Sequence, residues 1–95
     1  MALVFHDAPF VKDRPRLAVW LQGRDEAANC YVDCRVTHKA LRDCCGARGI
    51  AADELLRAFE AHRERIEMAA NRNYEAGRVE HLSDRAVVWL EVTDL

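Results

Sequence analysis

The chain has 95 residues, of which 51% are hydrophobic and 32% charged, with four cysteines and a net charge of −2. A chain of this length buries only about 60 to 65% of the surface its unfolded form exposes, so residues 1–95 are read as a single domain around one modest core. The composition lies well away from disordered and membrane classes; the opening "MALVFHDAPF" lacks a basic leader, and the longest apolar run, "AVVWL", is too short to span a bilayer.

A cytoplasmic protein with no membrane partner is therefore expected. Its cysteines would stay reduced, which argues against a disulfide scaffold. In chain order, Leu3 to Phe5 is a short apolar stretch suited to an edge strand, and Pro9 and Pro15 keep the link after it irregular. In "RLAVWLQ", residues 16–22, Leu17, Val19 and Leu21 alternate against Ala18 and Trp20. "GRDEAA" then offers a polar, glycine-led turn. Residues 29–37 alternate cleanly, with Cys30, Val32, Cys34 and Val36 on one side and Tyr31, Asp33, Arg35 and Thr37 on the other. The two segments read as a β-hairpin.

Thr37 stands where a helix N-cap belongs, and Leu41, Cys44 and Cys45 follow at helical spacing before Gly46. A short helix facing the core is expected there. After "GARG", residues 52–76 carry one long helical pattern, with Leu55, Phe59, His62, Ile66, Ala69, Ala70 and Asn73 on a shared face. Ile50 and Leu55 have the spacing of a hydrophobic staple. At 1.5 Å per residue this helix would run about 35 to 38 Å, long for so small a domain. Beyond Gly77 the pattern gives a short strand, a turn at Ser83 and Asp84, and a last strand over residues 86–92. The fold class is α+β: an antiparallel sheet, made of the N-terminal hairpin and the C-terminal strand, with one short and one long helix packed on one face.

Chemistry is harder to find. Cys30 and Cys34 are four strand residues apart, about 13 Å, too far to share a zinc ion or a disulfide. Core packing explains the cysteines better, since free cysteine is among the most buried residue types. His62 reads as a core histidine, and Asn73 as a buried polar group needing partners. "HLSDR" holds His81, Ser83 and Asp84, but adjacency in a turn does not make a triad. In "GARG", Arg48 suggests an anion nest, which Asp53 and Glu54 would oppose, so a plain connector is expected. The long helix mixes arginine and glutamate without a one-sign stripe, so no nucleic acid partner is expected. No catalytic residue, metal ligand or cofactor site is assigned.

One feature asks for more. If the helices cover one face of the sheet, Trp20, Tyr31, Val87 and Trp89 lie on the other. Such an apolar patch marks a protein interface, unless "FHDAPF" folds over it.

The run "CRVTHKAL" followed by "LLRAFEAHRERIEMAANRNYEAG" resembles a family of small bacterial proteins known only as domain of unknown function 1488. The likeness lies in the strand that ends in Cys34, the capped helix with Thr37, Ala40 and Leu41, and the spacing of Phe59, Arg63, Ile66, Ala70 and Tyr74. Cys44 and Cys45 stand where a bulkier apolar residue is expected. The resemblance implies a small α+β cytosolic domain and brings no catalytic residue with it. Two functions are carried forward. The first is a non-enzymatic module that self-associates, as a homodimer, or meets another protein through Trp20, Tyr31, Val87 and Trp89. The second is a small-ligand or thiol-dependent activity in a helix/sheet pocket holding Cys34, Cys45 and His62.

Overall fold

The computed structural model describes residues 2–95. A six-stranded sheet forms one layer: β1 (Leu3–Phe5), β2 (Phe10–Lys12), β3 (Ala18–Asp25), β4 (Cys30–Thr37), β5 (Glu80–His81) and β6 (Ala86–Leu90). Three helices, α1 (His38–Cys45), α2 (Ala52–Ala61) and α3 (Arg63–Glu75), form the other layer. The strand order is β1-β3-β4-β6-β5, and β2 pairs with β3 on the same edge as β1.

The hairpin β3–β4 forms as the alternation requires, in antiparallel register from Ala18 opposite Thr37 to Asp25 opposite Cys30. Its turn lies further along than expected. Gly23 sits inside β3, and the chain reverses at residues 26–29, where Asn29 takes φ 53° and Asp25 Oδ1 accepts from the Ala28 amide at 3.2 Å. Gly23 has a different task, because a Cβ there would meet the Phe5 ring at 2.7 Å. β1 packs over it.

The sheet is mixed, and this corrects the expectation of an antiparallel one. β4 and β6 run parallel, Val32 opposite Ala86 through Val36 opposite Leu90. The reason is the connection: three helices separate β4 from β6 and carry the chain back to the end where β4 began, as a parallel neighbour requires. β2 was hidden in the segment read as irregular, being only three residues long and following Pro9.

The helices also differ from expectation. Thr37 Oγ1 does cap α1, accepting from the Ala40 amide at 3.2 Å, and Gly46 ends it at φ 76°. The pattern over residues 52–76, however, is two helices. His62, at φ −124° and ψ 21°, breaks it, so α2 packs against β2 and β3 while α3 packs against β1 and β6. An unbroken helix of about 36 Å would have run along the whole 37 Å length of the molecule. His62 is therefore half-buried at a joint and not a core histidine. Ile50 is 68% exposed, so no staple forms.

Between the layers lies one cluster built on Val19, Leu21, Val32, Cys34, Val36, Val88 and Leu90 from the sheet. Leu41, Leu55, Phe59 and Ile66 meet them from the helices. The two buried asparagines of α3 are paired: Asn71 Oδ1 accepts from the Leu3 amide at 2.8 Å, and Asn73 Nδ2 donates to Asp94 Oδ1 at 3.0 Å. Asp94 belongs to a 3-10 turn, Val92–Asp94, capped by Glu91, so the strand expected over 86–92 ends two residues early, at Leu90.

Candidate functional site

The parity of the strands carries Trp20, Tyr31, Val87 and Trp89 to the sheet face opposite the helices. Cross-strand register then aligns one row: Phe10 opposite Trp20, Trp20 opposite Arg35, and Arg35 opposite Trp89. The Arg35 guanidinium lies 3.7 Å from the Trp20 ring centre and 5.3 Å from that of Trp89. It is held between the two indoles, and the residue is only 7% exposed. A guanidinium stacks well on an aromatic face, and withdrawal from water strengthens the attraction to about 2 kcal/mol.

Further cations decorate the row. Lys12 Nζ sits 4.7 Å from Trp20, Arg16 lies 5.2 Å from Trp89, and Arg24 lies 5.6 Å from Tyr31. Beneath the row, Asp33 is buried and bridges two arginines, Arg35 at 3.6 Å and Arg85 at 3.2 Å. Arg16 is paired with Glu91 at 2.8 Å. Trp20 Nε1 and Arg35 Nε are buried donors with no hydrogen-bond partner among the described residues.

The four expected surface residues share this face but differ in accessibility. Tyr31 is 49% exposed, Trp20 and Trp89 are half-buried, and Val87 is buried. "FHDAPF" does not fold across the face. Its last residue, Phe10, begins β2 and places a 43% exposed ring 5.9 Å from Trp20, so it widens the aromatic row and covers only one side of the indole. The residues missed in sequence were Arg35, Phe10 and the flanking cations. Their signal was present in the register, since Arg35 shares parity with Tyr31, but the tryptophans that bracket it come from two other strands.

The second group, Cys34, Cys45 and His62, is not gathered into one cavity. Cys34 is fully buried between sheet and helices, and burial pushes its thiol up to about 12, with Glu67 and Asp33 adding to the effect. Cys45 is buried at the end of α1, with its thiol also raised by burial. Such thiols are poor nucleophiles, because the thiolate is the reactive form. His62 instead lines an open cleft of about 590 Å³ at the joint between α2 and α3. The other two cysteines are half-buried: Cys30 lies 3.9 Å from the Tyr74 hydroxyl, and Cys44 donates weakly to the Val92 carbonyl. All four are free, and among the described residues no group of three or more His, Cys, Asp or Glu side chains could hold a metal ion.

Elsewhere the structure shows internal pairing. Glu54 Oε1 accepts from the Arg48 amide at 3.4 Å, so the "GARG" loop meets the protein's own carboxylate. Tyr74 donates to Asp25 Oδ2 at 2.5 Å, which with the Ala28 amide holds the Asp25 carboxyl below the usual range and raises the Tyr74 phenol. A phenol made harder to ionise ties α3 to the hairpin and is no base.

These features define a small α+β protein with a mixed sheet, helices on one face and an aromatic–arginine row on the other. No helix among the described residues is long and apolar enough to cross a membrane. The chain belongs to the family described as protein of unknown function (DUF1488), whose model matches residues 3–84. No curated protein and no solved structure matches it.

Proposed function

We propose that this protein is a single-domain, non-enzymatic interaction module of the bacterial cytoplasm that self-associates through the open face of its sheet. The observation that carries this reading is the Trp20–Arg35–Trp89 stack, flanked by the exposed rings of Phe10 and Tyr31. Tryptophan, tyrosine and arginine are the side chains that anchor protein interfaces. A second copy suits the face because it carries both signs of charge, Lys12, Arg16, Arg24 and Arg85 beside Glu91, Glu80 and Asp84. A two-fold contact sets one patch against itself and needs such internal balance, whereas nucleic acid calls for a one-sign surface. A standard interface would take about 800 Å² from each partner, a modest share of the 5552 Å² the chain exposes. The four free thiols suit a reducing compartment.

Light scattering behind size exclusion, over a hundredfold range of loading concentration, tests the proposal. A dimer mass that reverts to monomer in Phe10→Glu and Tyr31→Glu variants is expected. A strict monomer at every concentration would remove self-association. A small-ligand role draws its support from the cleft at His62 and none from the buried thiols.

A further inference from the structure

The cleft at the α2–α3 joint is separate from the sheet face, and its chemistry points to a ligand. Its volume of about 590 Å³ falls within the usual range for small-molecule sites. Along α3, Arg65, Met68 and Arg72 lie three and four residues apart, so they share one face of the helix. All three line the cleft, and Met68 is 53% exposed between the two arginines.

The two guanidiniums converge. Arg65 Nη2 donates to the Leu95 backbone oxygen at 2.5 Å and Nη1 to the Cys44 carbonyl oxygen at 3.3 Å, while Arg72 Nη2 donates to the Asp94 carbonyl oxygen at 2.9 Å. Residues 94 and 95 are adjacent, with Cα atoms about 3.8 Å apart, so two positive groups meet one short segment. Neither forms an ion pair with a side-chain carboxylate among the described residues. Their neighbours do: Arg63 pairs with Glu60 at 3.2 Å and Glu67 at 2.7 Å, and Arg78 with Asp94 at 3.9 Å. Most N–H donors of Arg65 and Arg72 have no partner among the described residues.

Two of the three lining carboxylates are engaged by other groups. Glu60 is held by Arg63, and Asp94 accepts from Asn73 Nδ2 at 3.0 Å and from the Glu91 amide at 2.8 Å. Glu64 alone lines the cleft without an ion pair among the described residues.

We infer that this cleft binds a small organic oxyanion, its carboxylate or phosphate group held by Arg65 and Arg72 and its apolar portion lying on Met68. Planar guanidiniums recognise both oxyanions through paired hydrogen bonds. The site stands independently of self-association through the sheet.

The test is a titration of isotopically labelled protein with sodium hexanoate and, separately, with inorganic phosphate, at constant ionic strength and followed by amide chemical shifts. Saturable shifts at Arg65, Met68, Ala69 and Arg72 are expected, and whichever probe saturates identifies the preferred group. Arg72→Gln should weaken binding about tenfold or more. Because that change also releases the turn at residues 92–95, Met68→Glu serves as a second variant at an exposed position, placing a carboxylate between the guanidiniums and weakening binding at least as much. Arg57→Gln, outside the cleft, should bind as the parent does. Shifts that never saturate with either anion, or unchanged affinity in both Arg72→Gln and Met68→Glu, would overturn the assignment.

Discussion

At the scale of single residues, the local environment decides which groups can act. Cys34 has no exposure and a thiol raised to about 12, so it should resist a thiol reagent at pH 8 in the native protein. Cys45, also buried and raised, should behave alike, while half-buried Cys30 and Cys44 react slowly. Mass spectrometry of the modified native protein would find labels on Cys30 and Cys44 only; a label on Cys34 before unfolding would contradict its burial. Tyr74 and Asp25 make a pH-dependent pair. Because the bond to Tyr74 depresses the Asp25 carboxyl, its stabilisation is present above the ordinary carboxylate value, about 3.9, and fades as pH falls through the depressed value. Tyr74→Phe should therefore lower the melting temperature at pH 7 and cost much less near pH 2. Equal losses at both would mean the hydroxyl acts without the charge.

At the scale of elements, two contacts depend on cross-strand neighbours. Gly23 leaves room for the Phe5 ring, with 2.7 Å to a would-be Cβ. Gly23→Ala must displace that ring, costing about 1 to 3 kcal/mol as an overpacked contact does. Faster hydrogen exchange confined to the β1–β3 pairing would locate the damage, and unchanged exchange there would refute the close approach. Arg35 is the other case. Its removal in Arg35→Leu takes away both indole contacts and one partner of buried Asp33, although Arg85 remains at 3.2 Å. A loss of about 2 kcal/mol in urea unfolding is expected, with altered emission from both tryptophans. No loss would make the stack incidental.

At the scale of the whole molecule, the arrangement of layers explains why the aromatic row is available at all. Three helices occupy one face and leave the other uncovered by helix, so the outward side chains of β3, β4 and β6 meet one another and a fringe of Phe10, Lys12, Arg16 and Arg85. If copies associate there, dissociation should follow concentration and be shifted by moderate salt, since the rim pairs such as Arg16–Glu91 are half-exposed. A dimer indifferent to Phe10→Glu would place the contact elsewhere, and the open face would lose its assigned role.

Periodicity along the sequence determined the things that depend on neighbours a few residues away. It placed the hairpin strands, the Thr37 cap, the Gly46 stop, the inward set Val32, Cys34 and Val36, and the aromatic parity of Trp20, Tyr31, Val87 and Trp89. These follow from backbone geometry and the exclusion of apolar groups from water, which repeat every two or 3.6 residues. Tertiary structure decided what depends on distant partners. The parallel pairing of β6 with β4 arises from the path of three helices, and the break at His62 lets α2 and α3 rest on different strands. Arg35 enters between two tryptophans that lie 15 residues before it and 54 after it in the chain. No local pattern encodes such a meeting, because it is fixed only when the strands acquire their order and register.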